Sequence, residues 1–320
     1  MFGWQDLKEK ITSNDVGLIC PVKGCSTRLE KRQTRKFVMN DQFACTLHGI
    51  VFSQTTFEYQ EPKDNTIWGD FHKFKTITSK RESRFGRDNS EDAVTWNIFR
   101  FLEKQGLLTK YLSIYSGVPV QNAKIIYWSH DSDTGQTWKP LREARCEFEQ
   151  NPAKGSEPDL IVMTDKCLFF IEAKLTASNS TSSGKTSKSK KYTTGGDGWW
   201  GQTFQNYSFA QITQAEKMYE LTRFWLIGSW IAEKSVNTDF RLINLVCERN
   251  EKNIEMRFRK YLPKESCTKF VRSTWENIYY FILANLDPSS ERDIVVRYFK
   301  EKTIGYRNGH LKKAFNLPND

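Results

Sequence analysis

Two apolar segments near the middle of the chain, joined by a short polar turn, constrain the fold more than any other feature of the sequence. Residues 159–163 begin with an aspartate, and residues 167–174 end in Glu-Ala-Lys. Residues 164–166 between them are polar. Apolar runs of this length on either side of a tight turn are typical of a β-hairpin. The sequence therefore predicts two antiparallel strands with Asp159 and the Glu-Ala-Lys segment at the same end.

The charged end of this hairpin has the residue types of a hydrolytic metal site. Side chains alternate between the two faces of a strand, so Glu172 and Lys174 should point the same way, with Asp159 at the end of the partner strand. Two carboxylates, a phosphate and water together satisfy the oxygen preference of Mg²⁺. Such a cation offsets charge on a phosphodiester, and a nearby lysine orients the attacking water or stabilises the oxyanion. The hairpin therefore suggests a reaction as well as a fold.

A third carboxylate opens the helix that the sequence predicts upstream. This helix should begin near Ser90, which is a favourable N-cap residue, and should end near Lys104. Glu91, Ile98 and Leu102 fall on one face at helical spacing, and the last two are apolar. Glu91 is therefore either solvated at a frayed helix end or directed at a metal cluster.

In these residues the sequence resembles the PD-(D/E)XK nuclease superfamily. The matching residues are Pro158 and Asp159, then Glu172, Ala173 and Lys174, with Glu91 as the acidic residue of the first core helix. The resemblance covers residues 88–250 and implies a restriction-endonuclease-like α/β core, with a mixed four-stranded sheet flanked by helices. It further implies that Asp159 and Glu172 bind magnesium, that Lys174 assists the nucleophile and that Glu91 supports the metal site. The expected reaction is magnesium-dependent hydrolysis of DNA phosphodiester bonds.

Several functional alternatives remain open at the level of the sequence. The glutamine–tyrosine motif of exonuclease members has no clean match, because Gln214 and Tyr219 are one residue too far apart. The missing motif and the family resemblance together favour an endonuclease of restriction or defence type. A structure-selective repair nuclease or junction resolvase is the alternative among enzymes. A zinc-dependent DNA-binding protein with a catalytically silent nuclease fold is the alternative from another class. The purely structural alternative is a hairpin whose terminal charges are solvated.

Three cysteines and a histidine form two close pairs near the N-terminus. Four residues separate Cys20 from Cys25, and two residues separate Cys45 from His48. Two tight pairs of thiolate and imidazole ligands are typical of a closed, tetrahedral structural zinc site. The alternative is a set of free buried cysteines in a small β-subdomain. The basic residues among positions 28–36 either contact nucleic acid or form a solvated face.

Other segments complete the expected fold and supply candidate nucleic-acid contacts. Strands are expected near residues 123–129, 145–149 and 240–247, and helices over residues 202–232 and 273–286. Residues 176–198, rich in Ser, Thr, Gly and Lys, predict a flexible loop. Its lysine-rich part, residues 185–191, is either a solvated loop or a segment that closes over a phosphate backbone. The paired tryptophans Trp199 and Trp200 either stack on bases or pack this loop onto the protein. The candidate contact residues are Lys185, Lys188, Lys190, Lys191, Gln211 and Gln214.

Composition favours a nucleic-acid partner and a reducing compartment. A formal net charge of +10 over 320 residues favours a polyanion, above all double-stranded DNA. The sequence shows no membrane span and no secretory signal, so we expect a cytoplasmic protein, or a nuclear one in a eukaryote, that is not secreted. Double-strand cleavage commonly takes two active sites, which is compatible with a homodimer. The expected domains are a zinc-binding module (1–60), a basic connector (61–88), the nuclease core (89–250) and a helical basic C-terminal extension (251–320).

Overall fold

The structure, a computed structural model, describes most of the chain, which divides into two compact units. These units are residues 1–104 with 276–320, and residues 105–275. The described residues are 3–9, 13–14, 17–31, 42–53, 55–70, 77, 84–148, 150–152, 155–183, 189–235, 238–263, 269–307 and 310–318. The strands are β1 (Ser13–Asn14), β2 (Gly17–Ile19), β3 (Arg28–Leu29), β4 (Ala44–Cys45), β5 (Ile50–Phe52), β6 (Phe57–Tyr59), β7 (Lys124–Tyr127), β8 (His130–Asp131), β9 (Gln136–Thr137), β10 (Leu160–Met163), β11 (Cys167–Ala173), β12 (Asp239–Val246), β13 (Lys269–Thr274), β14 (Thr303–Arg307) and β15 (His310–Lys313). The helices are α1 (Glu91–Lys104), α2 (Leu108–Ser116), α3 (Lys139–Glu147), α4 (Ser189–Thr203), α5 (Tyr219–Lys234), α6 (Ile254–Arg259), α7 (Trp275–Asn285) and α8 (Ser290–Glu301), and a π-helical turn covers Gln211–Ala215.

The first unit contains two small antiparallel sheets near the N-terminus. Their strand orders are β1-β2-β3 and β4-β5-β6, and the hairpin β14-β15 forms a further two-stranded sheet. Leu18, Ile50, Phe52 and Phe57 are buried in one apolar cluster that also contains Cys20 and other residues of both N-terminal sheets. Burial of these side chains gives the two small sheets a common core, as the expected N-terminal β module requires.

A mixed seven-stranded sheet forms the centre of the second unit. Its strand order is β13-β12-β11-β10-β7-β8-β9. Strands β11, β12 and β13 are parallel, whereas β10 is antiparallel to both β11 and β7. The structure confirms the expected α/β architecture, a mixed sheet flanked by helices. The sheet has seven strands among the described residues instead of the expected four, because β13 extends one edge and the short β8 and β9 extend the other.

The core of the second unit lies between this sheet and the helices that follow the hairpin. All seven residues of β11 are buried, as expected for a strand covered on both faces. Phe170 and Phe240 from adjacent strands pack edge to face, with ring centroids 5.4 Å apart, and Trp225 of α5 lies 5.5 Å from Phe240. The same apolar cluster includes Phe148 of the segment after α3 and Trp200 of α4.

Helix α1 begins and ends where the sequence predicts. The side-chain hydroxyl of Ser90 accepts a hydrogen bond from the backbone N–H of Ala93 at 3.0 Å. This bond satisfies one of the backbone donors that a helix leaves unpaired in its first turn. The helix continues to Lys104, and Gly106 follows with a positive φ of 65°.

The strand expected near residues 145–149 is wrong, because residues 139–147 form helix α3. The segment alternates polar and apolar residues, which suggests a strand when it is read alone. Over a longer window, Leu141, Ala144, Arg145 and Phe148 are buried at helical spacing, and Pro140 stands in the first turn, where a helix tolerates it. The helical period therefore outweighs the short alternating stretch.

The loop expected over residues 176–198 is also wrong in its second half. Residues 189–203 belong to α4, which the non-helical backbone of residues 195–198 interrupts. The helical pattern over residues 202–232 is realised as the end of α4, the π-helical turn and α5. Both tryptophans pack onto the protein: the indole N–H of Trp199 donates to Ser229 Oγ at 2.9 Å, and that of Trp200 donates to the carbonyl of Tyr207 at 3.0 Å.

Within the described part of the chain, no helix is long and apolar enough to cross a membrane.

Candidate functional site

The hairpin β10–β11 places Asp159 next to Glu172. Leu160 pairs with Ile171 in the antiparallel register, and one further step along the register sets Asp159 opposite Glu172. The Asp159 carboxylate, through Oδ2, accepts a hydrogen bond from the backbone N–H of Ala173 at 2.8 Å. The backbone carbonyl of Asp159 accepts from the N–H of Trp128 at 2.8 Å. Asp159 is therefore tied to a strand on each side.

A buried arginine holds the segment that leads into Asp159. The guanidinium of Arg145, at the end of α3, donates to the carbonyl of Ser156 through Nε at 3.0 Å and Nη2 at 2.6 Å, and to that of Pro152 at 2.8 Å. Gln150 Oε1 accepts from the N–H of Ser156 at 2.7 Å. Arg145 is 1% exposed, so these carbonyls supply the polar contacts that its burial requires.

Lys174 follows β11 and is fixed through its backbone. Its N–H donates to the carbonyl of Leu245 on β12 at 2.8 Å, and its carbonyl accepts from the Trp275 indole at 3.2 Å. Its ammonium donates to Glu172 Oε1 in a short hydrogen bond and lies 3.0 Å from Glu220 Oε2. Glu172 and Lys174 therefore share one face of the strand, as the alternation of side chains predicts.

Glu220 completes this group and was missed by sequence reasoning. It lies in the first turn of α5, and its backbone N–H donates to Thr181 Oγ1 at 2.9 Å. The only sequence signal was an acidic residue at a helix start, which is common for helix stability alone. Asp159, Glu172, Lys174 and Glu220 are called the carboxylate–lysine cluster below.

Glu172 is the most deeply buried acid of this cluster. Its side chain is 3% exposed, and Oε2 has no hydrogen-bond partner among the described residues. Burial, together with the negative charge of Asp159, raises the pKa of Glu172 well above its usual range. A buried carboxylate oxygen without a donor is costly to the fold. A cation is the kind of ligand that removes this cost.

Lys174 remains positively charged within the cluster. Burial lowers its pKa, but the charges of Glu172, Glu220 and Asp159 outweigh burial and hold the pKa of Lys174 above its usual value. Three carboxyl groups thus surround one ammonium. When all four groups are ionised, the cluster carries a net negative charge that one lysine does not balance.

A buried amide network lies beside the cluster on the same sheet. Asn244 of β12 pairs with Glu172 in the parallel register. Asn179 Nδ2 donates to Asn244 Oδ1 at 2.6 Å and to Glu251 Oε2 at 2.8 Å, and Asn244 Nδ2 donates to the same Glu251 oxygen at 2.9 Å. These bonds anchor the chain after Lys174 against β12, which positions the cluster.

The remaining predicted site residues are distributed over several elements. Glu91 opens α1 in the first unit and is half-buried. Gln211 and Gln214 lie exposed in the π-helical turn, where Gln211 Oε1 accepts from the N–H of Ser208 at 2.7 Å. Lys190 and Lys191 lie in the first turn of α4. Lys185 and Lys188 lie outside the described residues. Roles for all seven residues stay predictions.

The structure brings the four predicted zinc ligands together in the first unit. Cys20, Cys25, Cys45 and His48, called the Cys3His cluster, have ligand atoms that all lie within 4.8 Å of one another. His48 Nδ1 is 3.6 Å from Cys20 Sγ and 3.4 Å from Cys45 Sγ, and the sulfurs of Cys25 and Cys45 are 3.8 Å apart. A zinc tetrahedron has edges of about 3.6 Å between nitrogen and sulfur and about 3.8 Å between sulfurs, from its usual bond lengths. These three distances are consistent with a structural zinc site.

A lysine supports this cluster from outside the ligand set. The Lys8 ammonium donates to the backbone carbonyl of Cys20 at 2.8 Å and, in a short hydrogen bond, to that of Cys25. Burial, followed by the charges of Cys45 and Cys25, raises the pKa of the Cys20 thiol. Deprotonation of three neighbouring thiols therefore needs a compensating cation. Lys8 was not recognised from the sequence, since only the fold brings it to these carbonyls.

Comparison with known proteins identifies no relative of this chain. No family model matches the chain, and no curated protein or solved structure matches it significantly.

Proposed function

We propose that this protein is a metal-dependent nuclease that hydrolyses phosphodiester bonds, with the carboxylate–lysine cluster as its active site. The observation that carries the proposal is a buried Glu172 oxygen for which the described part of the chain offers no hydrogen-bond partner, beside a second carboxylate and a charged lysine. Perturbed acids with unbalanced charge are more common at reactive sites than in ordinary hairpins. The resemblance of this motif to the PD-(D/E)XK superfamily supports the same reaction.

The donor set fits a divalent cation with a preference for oxygen. Asp159 and Glu172 would hold Mg²⁺, which takes one or two protein carboxylates and completes its shell with phosphate and water. When bound, the cation supplies positive charge that offsets the charge developing on the phosphate. Asp159 and Glu172 would hold it from adjacent positions of the hairpin, whose antiparallel pairing sets them opposite each other.

Lys174 acts as a hydrogen-bond donor to the reacting phosphate in this proposal. Its raised pKa keeps it protonated near neutral pH, so it is a poor general base. A fixed ammonium stabilises negative charge on the phosphate oxygens and orients the attacking water. Glu220 positions Lys174, because its carboxylate lies 3.0 Å from the ammonium nitrogen.

The proposed substrate is DNA, and the proposed mode of attack is endonucleolytic. The net charge of +10 favours a polyanion, since basic side chains release counterions from nucleic-acid phosphates. We further propose that the Cys3His cluster binds a structural Zn²⁺ that stabilises the N-terminal sheets. All four ligand positions of such a tetrahedron come from the protein, which leaves no open position for chemistry.

The decisive experiment compares DNA cleavage by the wild type and by Lys174→Ala. Supercoiled plasmid, linear duplex, branched and single-stranded DNA are incubated with magnesium or with EDTA. We expect wild-type cleavage only with magnesium, and a loss on the order of 10³-fold in Lys174→Ala. Cleavage of a covalently closed circle distinguishes an endonuclease from an exonuclease.

Lys166→Ala is the matched control, because Lys166 is an exposed lysine in the turn at the opposite end of the same hairpin. It should cleave like the wild type. Equal activity of Lys174→Ala and wild type would place the chemistry elsewhere. Binding without cleavage of any DNA would favour the silent DNA-binding alternative.

A further inference from the structure

A cleft in the second unit lies apart from the carboxylate–lysine cluster. It has a volume of about 520 Å³, and two short segments line it, residues 204–207 after α4 and residues 259–263 after α6. Clefts of this size commonly hold molecules as large as a nucleotide.

Two tyrosines give the cleft an aromatic wall. The rings of Tyr207 and Tyr261 pack edge to face with centroids 4.7 Å apart. Tyr261 is buried, whereas the Tyr207 side chain is 37% exposed. The backbone carbonyl of Tyr207 accepts a hydrogen bond from the Trp200 indole N–H, and the backbone N–H of Tyr207 donates to the carbonyl of Phe204 at 2.9 Å. The exposed Tyr207 ring therefore projects from a turn whose backbone is hydrogen-bonded on both sides.

Amide groups stand beside this ring in the same turn. Gln205 and Asn206 line the cleft and are exposed, and neither side chain forms a hydrogen bond within the described part of the chain. The backbone of Gln205 has a φ of 35°, a conformation that costs energy in any residue other than glycine. An amide offers a donor and an acceptor together, as the edge of a nucleobase does.

The rim of the cleft is positively charged. Glu216 Oε1 lies 2.7 Å from the Lys260 ammonium and accepts from the Tyr261 hydroxyl at 2.9 Å, and its Oε2 lies 3.0 Å from Arg257 Nη2. These contacts, led by that of Lys260, lower the pKa of Glu216 to about 2. The Glu216 carboxylate is thus shared by two cations. Arg259 also lines the cleft, and its Nη1 lies 3.2 Å from Glu255 Oε1, so three cations face two carboxylates here.

The cleft and the proposed active site are joined by a short piece of chain. Glu216 contacts the cleft residues Lys260 and Tyr261, and Glu220 contacts Lys174. Four residues of chain span at most about 14 Å. A strand whose phosphate lies at Lys174 would therefore have a base within a few nucleotides of the cleft.

We infer that this cleft binds an unstacked nucleobase of a single-stranded segment, with its base on Tyr207 and its phosphate at Arg259 and Lys260. The inference rests on the proposed nucleic-acid substrate but does not require hydrolysis. Aromatic rings bordered by cations are a recurrent means of binding unpaired bases. Single-stranded DNA and RNA share this chemistry, and the experiment separates them.

The test measures binding in EDTA, where the proposed metal-dependent cleavage is absent. Fluorescence anisotropy is recorded with labelled single-stranded DNA, the same sequence as RNA, and a blunt duplex, with unlabelled dAMP and AMP as competitors. Tyr207→Ala should weaken binding of the preferred single strand by about 5- to 100-fold, the range for loss of one stacked base. Tyr207→Phe, which keeps the ring, should bind like the wild type.

Tyr280→Ala is the matched control. Tyr280 is also exposed, and it packs edge to face on its neighbour Tyr279 with centroids 5.3 Å apart, but it does not line the cleft. It should change binding less than twofold. Circular dichroism and thermal unfolding of each variant confirm that the fold is retained.

The outcomes separate this inference from the proposed function. If the protein binds a single strand through Tyr207 but cleaves no nucleic acid, the proposed nucleobase site is supported and the proposed nuclease activity is overturned. Magnesium-dependent cleavage with full single-strand binding by Tyr207→Ala would overturn the cleft alone. No single-strand binding by the wild type, an equal loss in Tyr280→Ala, or Tyr207-dependent capture of free dAMP or AMP in place of the strand would also overturn it.

Discussion

The Cys3His cluster of the first unit and the carboxylate–lysine cluster of the second are both built from buried polar side chains, but they balance charge in different ways. The four ligand atoms of the first lie within 4.8 Å of one another. One metal ion would satisfy all of them. The second surrounds one ammonium with three carboxyl groups and leaves a buried oxygen of Glu172 without a hydrogen-bond partner among the described residues.

This difference separates a site suited to stability from one suited to chemistry. A closed tetrahedron resembles a structural metal site, in which binding and folding are one process. A cluster with unbalanced charge costs stability, which is a common condition of a reactive site. The predictions below test this contrast, from the largest expected effect to the smallest.

The largest expected effect is a loss of activity without a loss of fold. Asp159→Asn should reduce cleavage on the order of 10³-fold, because it weakens the cation site and the charge that acts on the phosphate. The melting temperature should change by no more than about 2 °C, since asparagine retains the acceptor for the Ala173 N–H. Single-turnover cleavage and thermal unfolding measure the two effects. Asp165→Asn, in the turn of the same hairpin, is the control and should retain activity.

Removal of one residue of the Cys3His cluster should instead reduce the stability of the fold. Cys45→Ser, or chelation of the metal, should destabilise the N-terminal sheets by several kcal/mol, because metal binding contributes directly to the folding of small modules. Metal content by mass spectrometry and urea unfolding monitored by tryptophan fluorescence provide the measurements. Cys146→Ser, which changes an exposed cysteine of α3, is the control. Full stability of Cys45→Ser without bound metal would contradict the structural assignment.

Glu220→Gln should have an intermediate effect on activity. Loss of this carboxylate removes one of the charges that raise the pKa of Lys174, so that pKa should fall. Cleavage should decrease about 10- to 100-fold, as for other residues that orient a reactive group. Glu233→Gln, at the exposed end of the same helix, is the control. Unchanged single-turnover cleavage by Glu220→Gln would remove Glu220 from the site.

The smallest expected effect is a gain in stability. The pKa of Glu172 is raised in the folded state, so the folded protein binds this proton more tightly than the unfolded chain, and stability falls as pH rises above the ordinary value of about 4.3. Without divalent cations, Glu172→Gln should therefore be more stable than the wild type at pH 8, by about 1 kcal/mol or more. The difference should vanish below about pH 4, where Glu172 is protonated in both states.

Urea unfolding at pH 4 and pH 8, with and without magnesium, measures this effect. Magnesium should stabilise the wild type and have little effect on Glu172→Gln. A variant that is less stable than the wild type at pH 8 would show that the pair with Lys174 outweighs the cost of burial.

The parts of the molecule that sequence reasoning predicted are those set by local rules. Asp159 and Glu172 meet because a three-residue turn fixes the register of the hairpin, and Glu172 and Lys174 share a face because strands have a period of two. The parts that it missed depend on distant segments. Glu220 is 46 positions from Lys174 in the sequence, and Asn244 reaches the cluster only through the parallel pairing of β12 with β11.

The tryptophans and tyrosines of the second unit make the same point. The sequence shows Trp199 and Trp200 as candidates for stacking on bases. In the structure Trp200 is buried and Trp199 half-buried, and the indole hydrogen bonds of both fix them to the protein. The exposed ring is that of Tyr207, which is one aromatic residue among many in the sequence. The exposure of Tyr207 depends on how the segments after α4 and α6 pack, and no local sequence pattern predicts it.

The sequence by itself determined the hairpin with its acids and lysine, the paired cysteines and histidine, the first helix and the basic charge, because spacing, periodicity and composition act over a few residues. Tertiary structure alone decided which acid is most deeply buried, which helix contributes Glu220, and which aromatic ring faces a cleft. These properties arise from contacts between segments far apart in the chain, where burial changes the free energy of a charge and packing decides which side chains remain exposed.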